Sequence, residues 1–272
     1  MFLHPTPYTL YPVFGGGVLI RVGDLDTHFI VWGEGRPVVL LHGWGTSAES
    51  LSVVAKALED RFRVYALDLP GFGWTPSATT TWGTWEYASY VEAFMDRIGI
   101  QTADLIGHSF GGRIALVLAA QRPDRVRSLI LAASAGIRPR RGLLFRVKVG
   151  SVKLAKRLFS LPVWGRLGER IVAELYRRIG SRDYRNAGPM RATLVKVVGE
   201  DLRGILPSIR VPTLIIWGDR DQEVPFSSME IMARGIQGSR LEVFEGAGHF
   251  PFVDQPDRFS RVAREFLWQD GR

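Results

Sequence analysis

Residues 103–112 read ADLIGHSFGG, and this stretch joins a strand pattern to a helix pattern through a glycine-rich turn. Its first four residues have the length and pattern of a short buried strand. A run rich in Ala and Leu follows over 111–121 and stops before Pro123, as a helix should. A Ser at such a sharp turn between strand and helix is held in a strained backbone conformation, with its hydroxyl above the edge of the sheet. The turn therefore predicts that Ser109 is a nucleophile; the alternative is a Gly-rich turn that serves packing alone.

Short apolar runs alternate with helical patterns along the rest of the chain. Most of these runs are apolar on both faces, which is typical of parallel strands covered by helices, whereas the first two predict an antiparallel pair. The predicted strands are 18–22, 27–32, 38–41, 64–67, 103–106, 129–131, 214–217 and 241–244. The predicted helices are 48–58, 85–98, 111–121, 226–236 and 256–268. The alternation predicts an α/β fold with a doubly wound, mostly parallel, eight-stranded sheet.

One long segment, residues 137–204, breaks the alternation, because it has helical patterns and no clear strand. It holds 17 basic and five acidic residues, a net charge of +12, in a chain whose net charge is +8. We therefore expect a basic helical insertion over 137–204 in a core domain built from 1–136 and 205–272. Residues 143–161 are amphipathic, so the simplest interpretation is a lid helix with its apolar face over a pocket and its cations in water.

The charge of this insertion also allows contact with an anionic substrate or a membrane surface, which we do not favour. The sequence contains no recognisable nucleic-acid-binding module, so no nucleic-acid partner is expected. No apolar run approaches the roughly 18 residues of a membrane span, and the first residues lack the basic segment of a secretory signal. These features lead us to expect a cytoplasmic protein.

A serine hydroxyl becomes a good nucleophile only when a base takes its proton. His249 stands in the motif GAGHF directly after the last predicted strand, where a loop can reach the same edge of the sheet. A carboxylate is then needed to orient the imidazole, and the segment WGDRDQEVP over 217–225 offers Asp219 and Asp221. We favour Asp221, because Asp219 comes directly after the strand and Gly218, where a side chain more often caps the turn.

An acyl-transfer site also needs N–H groups that bind the oxyanion. One is expected from the backbone of Phe110, directly after the nucleophile. The second is expected from Trp44 in the motif HGWG over 42–45, whose glycines let the backbone turn inward. The alternative for this motif is a Gly-rich strand end without a chemical role. His108 lies beside the nucleophile, so its side chain must leave the turn in another direction.

The composition excludes several kinds of site. The chain has no cysteine, which excludes disulfides, thiolate metal sites and a cysteine nucleophile. No two histidines stand at helical spacing, so no metal is expected. The three glycines at 15–17 do not supply the G-x-G-x-x-G motif that a dinucleotide needs after the first strand. We therefore expect a protein that works without a cofactor.

The sequence resembles the α/β-hydrolase family over nearly its whole length. The motifs HGWG (42–45), DLPGFG (68–73) and GHSFGG (107–112), then Asp221 and His249, occur in the order of that family. The resemblance implies a Ser–His–Asp hydrolase made of Ser109, His249 and Asp221, with a helical cap in the slot that 137–204 occupies. Members that open epoxides or remove halide use Asp as the nucleophile, where this chain has Ser. The fold alone does not name a substrate.

These observations predict a serine hydrolase that cleaves carboxylic esters of small to medium apolar acids, a small-molecule substrate class. The first alternative is a carbon–carbon bond hydrolase of dienoic ketoacids, which the family also contains and whose anionic substrates an arginine of the cap could bind. The second alternative is a small-molecule receptor that keeps the fold without catalysis. A complete set of nucleophile, base, acid and oxyanion donors argues against a receptor, since binding alone does not need them all.

Overall fold

The computed structural model of the chain describes residues 11–13, 17–138, 164–165 and 182–269. Within these residues, nine strands form one sheet. They are β1 (Tyr11–Val13), β2 (Gly17–Val22), β3 (Leu25–Trp32), β4 (Arg36–Leu41), β5 (Phe62–Leu67), β6 (Ala103–His108), β7 (Val126–Ala132), β8 (Thr213–Gly218) and β9 (Arg240–Phe244). Their order across the sheet is β1-β2-β3-β5-β4-β6-β7-β8-β9. The pairs from β1 to β5 are antiparallel and those from β5 through β4 to β9 are parallel.

Helices follow most of the parallel strands. The α-helices are α1 (Ser52–Leu58), α2 (Thr84–Arg97), α3 (Phe110–Gln121), α4 (Arg182–Asn186), α5 (Arg191–Gly199), α6 (Phe226–Gly235), α7 (Pro251–Asp254) and α8 (Pro256–Gln269). Short 3₁₀ helices cover Ala48–Leu51, Gly188–Met190 and Arg203–Ser208. Of the helices described, none is long and apolar enough to cross a bilayer.

The predicted doubly wound, mostly parallel sheet is confirmed, and its eight predicted strands are β2 to β9. The described residues add β1 at the antiparallel edge, where Pro12 lies in register with Val18. Proline has no N–H to donate to a neighbouring strand, so strands that contain it lie at sheet edges. A three-residue strand with a central proline carries little of the usual strand pattern, which explains its absence from the prediction.

The parallel half of the sheet is buried on both faces. Every residue of β6 and β8 is buried, because helices cover both sides of a parallel sheet. On one side, α8 packs against α1, and Phe259 and Phe266 share one apolar cluster with Leu51 and Leu58. Burial of each such side chain contributes roughly 1.5–3 kcal/mol. This core fixes the carboxyl ends of the parallel strands, where the loops of the candidate site begin.

The chain divides into two compact units, one made of residues 1–138 and 196–272 and the other of residues 139–195. The second unit lies inside the predicted cap, 137–204. Most of that segment, including the predicted lid helix over 143–161, falls outside the described residues. Residues 196–204 belong to the first unit, so the compact insertion is shorter than the predicted cap at its carboxyl end.

Arg113, which lies on α3, binds this carboxyl-terminal segment to the core. Its buried guanidinium donates to the carbonyl oxygens of Val197, at 2.5 Å, and Glu200, at 2.9 Å. The N–H of Leu202 donates to the carbonyl oxygen of Gly136 at 2.9 Å. Burial lowers the pKa of Arg113 to about 10, so the side chain remains cationic at neutral pH. The return of the chain to β8 is therefore part of the core and not of the insertion.

Candidate active site

Ser109 lies at the turn between β6 and α3 with a φ of 49° and a ψ of −108°. Within the described part of the chain, only Ser109 and Ala133 have a positive φ without being glycine. Such a conformation costs of order 1–3 kcal/mol and persists only where its surroundings enforce it. Here the N–H of Ser109 donates to the carbonyl oxygen of Ala132 at 3.1 Å, and its own carbonyl oxygen accepts the N–H of Ala135 at 3.0 Å. The end of β7 thus holds the strained turn from two sides.

The glycines around Ser109 are required by close packing. A Cβ atom on Gly107 would lie 2.6 Å from the carbonyl oxygen of Gly111, and a Cβ on Gly111 would lie 2.0 Å from that of Leu41. Both distances are far below van der Waals contact, so any larger residue would push α3 away from β4 and β6. The glycines of this motif therefore allow α3 to begin in close contact with β4 and β6.

His249 and Asp221 form a buried pair at the same edge of the sheet. Nδ1 of His249 lies 2.8 Å from Oδ2 of Asp221, and both side chains are almost fully buried. The other carboxylate oxygen, Oδ1, accepts the N–H groups of Glu223 at 2.8 Å and Val224 at 3.0 Å. Burial alone raises the pKa of Asp221, but the hydrogen bonds from His249 and these two N–H groups outweigh it and lower the pKa. The carboxylate is thus charged at neutral pH and fixed on three sides.

Asp219, the other candidate for the acid, has a different partner. Its Oδ1 accepts the N–H of Gly246 at 2.6 Å, which connects the loop after β8 to the turn after β9. The structure therefore brings Asp221 to His249, while Asp219 holds together the two loops that carry this pair.

His108 turns away from the nucleophile and contacts the loop of His249. Its Nε2 lies 2.9 Å from the carbonyl oxygen of His249, and the two rings have centroids 4.8 Å apart. A bond to a carbonyl requires that Nε2 carry the proton. Burial, helped by the neighbouring His249, lowers the pKa of His108 to about 3. His108 is therefore a neutral donor that connects the nucleophile turn to the loop of the predicted base.

The two residues expected to supply oxyanion donors also lie together. The rings of Trp44 and Phe110 have centroids 5.3 Å apart in an edge-to-face arrangement, and Phe72 and Tyr87 extend this aromatic cluster. A Cβ atom on Gly43 would lie 2.8 Å from Nδ1 of His108. The loop that carries Trp44 thus contacts the nucleophile turn directly, and a helix that starts at Phe110 has N–H groups without partners inside the helix.

Two buried polar residues, His42 of the motif HGWG and Asp68 of the motif DLPGFG, have structural roles. Nε2 of His42 accepts the N–H of Leu69 at 3.0 Å, and burial lowers the pKa of His42 to about 4, so the ring stays neutral. Asp68 accepts the N–H groups of Ala48 and Trp74. It also bonds Nδ1 of His28 at 2.8 Å. These contacts hold the loops after β4 and β5 in place and leave both residues without a free group for chemistry.

Sequence reasoning missed one charged residue of the site, Glu223. Its Oε2 lies 3.5 Å from Nε2 of His249, and its side chain is 61% exposed. The position was visible in the sequence, since Glu223 stands two residues after Asp221 in the same loop. The direction of a side chain in an irregular loop has no sequence signature, so this contact emerges only from the structure.

The described residues contain no group of three or more His, Cys, Asp or Glu side chains that could hold a metal ion. The polar groups on the loops at this edge of the sheet are the hydroxyl of Ser109, the imidazole of His249 with the carboxylates of Asp221 and Glu223, and backbone N–H groups. This set is suited to proton transfer and to stabilisation of a developing oxyanion.

Comparison with known proteins finds hydrolases that are similar over most of the chain. A pimeloyl-acyl-carrier-protein methyl ester esterase of Aeromonas hydrophila is 30% identical over 250 residues, which cover 87% of this chain and 97% of the relative. A 2-hydroxy-6-oxo-6-phenylhexa-2,4-dienoate hydrolase of Comamonas testosteroni is 28% identical over 268 residues, covering 91% and 93%. The solved structure of a meta-cleavage product hydrolase from Pseudomonas fluorescens is similar with a TM-score of 0.71 at 25% identity, covering 92% of this chain and 97% of that one.

The family model of the alpha/beta hydrolase fold matches residues 36–256 of this chain. This range includes the turn at Ser109, the loop of Asp221 and the loop of His249. Because the match covers most of the chain and both curated relatives are hydrolases, the chain belongs to the α/β-hydrolase fold family.

Proposed function

We propose that the protein is a serine hydrolase that cleaves carboxylic esters of small to medium apolar acids through an acyl-enzyme. The observation that carries the proposal is the buried pair of His249 and Asp221, with 2.8 Å between Nδ1 and Oδ2, on a loop bonded to the nucleophile turn. His28 and Asp68 form a similar buried pair that only holds loops in place, whereas the pair of His249 and Asp221 lies on a loop that His108 bonds to the nucleophile turn. The strained conformation of Ser109 supports the same interpretation.

In the proposed mechanism, Oγ of Ser109 attacks the ester carbonyl and Nε2 of His249 takes the hydroxyl proton. The Asp221 carboxylate orients the ring through Nδ1 and stabilises the imidazolium that forms. The N–H groups of Trp44 and Phe110 bind the oxyanion. His249 then returns the proton to the leaving alcohol, and a water molecule hydrolyses the acyl-enzyme by the same route.

The names of two relatives support two different classes of substrate. The Aeromonas relative is named as a methyl ester esterase, which supports ester hydrolysis. The Comamonas relative is named as a hydrolase of a dienoate, which supports carbon–carbon bond hydrolysis as the second candidate. Both reactions use the same nucleophile and base, so the acyl group and the leaving group decide between them.

One substrate screen tests the proposal. Purified protein is assayed with p-nitrophenyl esters of increasing acyl length and with a dienoic ketoacid, alongside Ser109→Ala. Ester turnover that is lost in Ser109→Ala supports the esterase. Turnover of the ketoacid alone would favour the second candidate, and binding without any turnover would favour a receptor. Ser260→Ala is a matched control, because it is the same substitution at a hydroxyl that bonds the carbonyl oxygen of Pro256 within α8.

A further inference from the structure

The carboxylate of Glu223 lies near Nε2 of His249, the ring nitrogen that exchanges protons in the proposed mechanism. Nδ1 of the ring is occupied by Asp221, so Nε2 must take the proton from Ser109 and return it to the leaving alcohol. Oε2 of Glu223 lies 3.5 Å from that Nε2. A charge at this distance is within reach of any group of the substrate bound next to the scissile bond.

The loop keeps this carboxylate near the ring. The backbone N–H of Glu223 donates to Oδ1 of Asp221 at 2.8 Å, and the N–H of Val224 donates to the same oxygen at 3.0 Å. Two residues further on, α6 begins after Pro225. The backbone of Glu223 is therefore fixed by the same acid that orients His249, and only its side-chain torsions are free.

The negative charge of Glu223 is not neutralised by a nearby cation in the part of the chain that the structure describes. Within those residues its carboxylate forms no ion pair with Lys or Arg, and its one charged contact is His249. Among the described residues, the charged carboxylate of Asp221 bonds Nδ1 of the imidazole, and the neutral ring of His108 has its centroid 4.8 Å from that of His249. Asp221 and Glu223 therefore place two carboxylates beside this imidazole, one at each ring nitrogen.

We propose that Glu223 determines the charge selectivity of the site: it selects against acyl groups that carry a carboxylate near the scissile bond and in favour of uncharged ones. Like charges a few ångströms apart repel, and a repulsive element of this kind rejects a wrong substrate without adding a contact to the right one. The inference rests on the proposed function and deepens it, because it places the anionic dienoic acids of the second candidate among the disfavoured substrates.

The test uses two methyl esters of equal acyl chain length that differ in one charge: methyl butyrate and monomethyl succinate. The measured quantity is the ratio of kcat/KM for the neutral ester to kcat/KM for the anionic one. This ratio is taken within each variant, so losses of folded protein or of general catalytic efficiency cancel. We expect Glu223→Gln to lower the ratio by about tenfold, since one repulsive charge near the reacting centre is removed.

Two controls make the result specific. Glu59→Gln removes the same charge from an exposed residue at the end of α1, before β5 begins and therefore at the opposite edge of the sheet. It should leave the ratio at its original value. Added salt should lower the ratio in the unmodified protein, because it screens an exposed carboxylate, and should have little effect on the ratio in Glu223→Gln.

The possible outcomes distinguish a failure of the role of Glu223 from a failure of the proposed function. If the butyrate ester is hydrolysed in a Ser109-dependent manner and the ratio is the same in Glu223→Gln, the role of Glu223 is wrong while the proposed function stands. If neither ester is turned over by the unmodified protein, the proposed function fails and the selectivity inference fails with it. A lower ratio in Glu223→Gln but not in Glu59→Gln supports the inference.

Discussion

The side chain of His108 holds the backbone of His249, through a contact of 2.9 Å between Nε2 and the carbonyl oxygen. The residue next to the proposed nucleophile thus fixes the loop of the proposed base. The other nitrogen of the same ring, Nδ1, lies against Gly43 of the loop after β4. One neutral imidazole therefore connects three of the four loops on which the proposed chemistry depends, those after β4, β6 and β9, which makes it a positioning residue.

This contact predicts a specific rescue. His108→Leu removes the donor and leaves a buried carbonyl oxygen without a partner, so kcat should fall by about 10–100-fold as the base loses its alignment. His108→Gln retains an N–H donor at similar reach and should recover most of the loss. Steady-state kinetics of both variants, with melting curves to confirm folding, provide the measurement. Equal losses in the two variants would show that the hydrogen bond has no positioning role.

The two aspartates of the loop after β8 should behave differently. Asp221→Asn removes the charge that stabilises the imidazolium and should lower kcat by at least about 10³-fold. Asp219→Asn keeps an oxygen that accepts the N–H of Gly246, so its activity should stay within about tenfold of the original. Single-turnover and steady-state rates with one neutral ester compare them. An inactive Asp219→Asn beside an active Asp221→Asn would reverse the assignment of the acid.

The buried histidines predict a loss of stability in acid. Burial lowers the pKa of His42 to about 4 and that of His108 to about 3, whereas unfolded histidines titrate near about 6.5. The stability that these neutral rings contribute is therefore complete above about pH 6.5 and is lost as pH falls towards 3, because the unfolded chain binds the protons first. Urea unfolding should show a decrease of a few kcal/mol between about pH 6.5 and 4. The slope should be smaller in His108→Gln, and an unchanged slope would contradict the contribution of His108.

The division into two units predicts that the core folds without the insertion. Joining Arg138 to Lys196 through a short Gly–Ser linker removes residues 139–195 and keeps the bonds from Arg113 to the carbonyl oxygens of Val197 and Glu200. We expect one cooperative unfolding transition and residual activity on small esters, with weaker binding of apolar ones if the insertion is a cap. Circular dichroism and ester kinetics measure both. A deletion variant without a cooperative transition would show that the insertion is part of the core.

The sheet was predictable because its signal is local. A buried parallel strand such as β8 is apolar on both faces, so four residues are enough to indicate it. The position of Ser109 was predictable for a similar reason, since strand, turn and helix follow one another directly. The family order of motifs then indicated where the loops of Asp221 and His249 would lie.

Features that depend on distant contacts were not predictable. Residues 196–204 fall within the segment that shows no strand pattern, and contacts between residues distant in sequence, from Arg113 to Val197 and Glu200 and from Leu202 to Gly136, assign them to the core. The contact of Glu223 with His249 depends on side-chain torsions in an irregular loop. The partner of His108 lies 141 positions away, and adjacency to Ser109 indicated only that the ring must turn elsewhere.

The spatial order of the strands has a consequence for how the protein acquires activity. The loops of the proposed site follow β4, β6, β8 and β9, which the chain visits with β5 and β7 in between, although the sheet brings them to one edge. Strands so distant in sequence pair slowly, because closing a long loop costs conformational entropy before the contacts between the strands stabilise the fold. A folding intermediate in which β9 has not yet docked would present the serine turn without its base. We therefore expect the proposed hydrolysis to begin only after β9 has docked, so that incompletely folded molecules do not act as unselective nucleophiles.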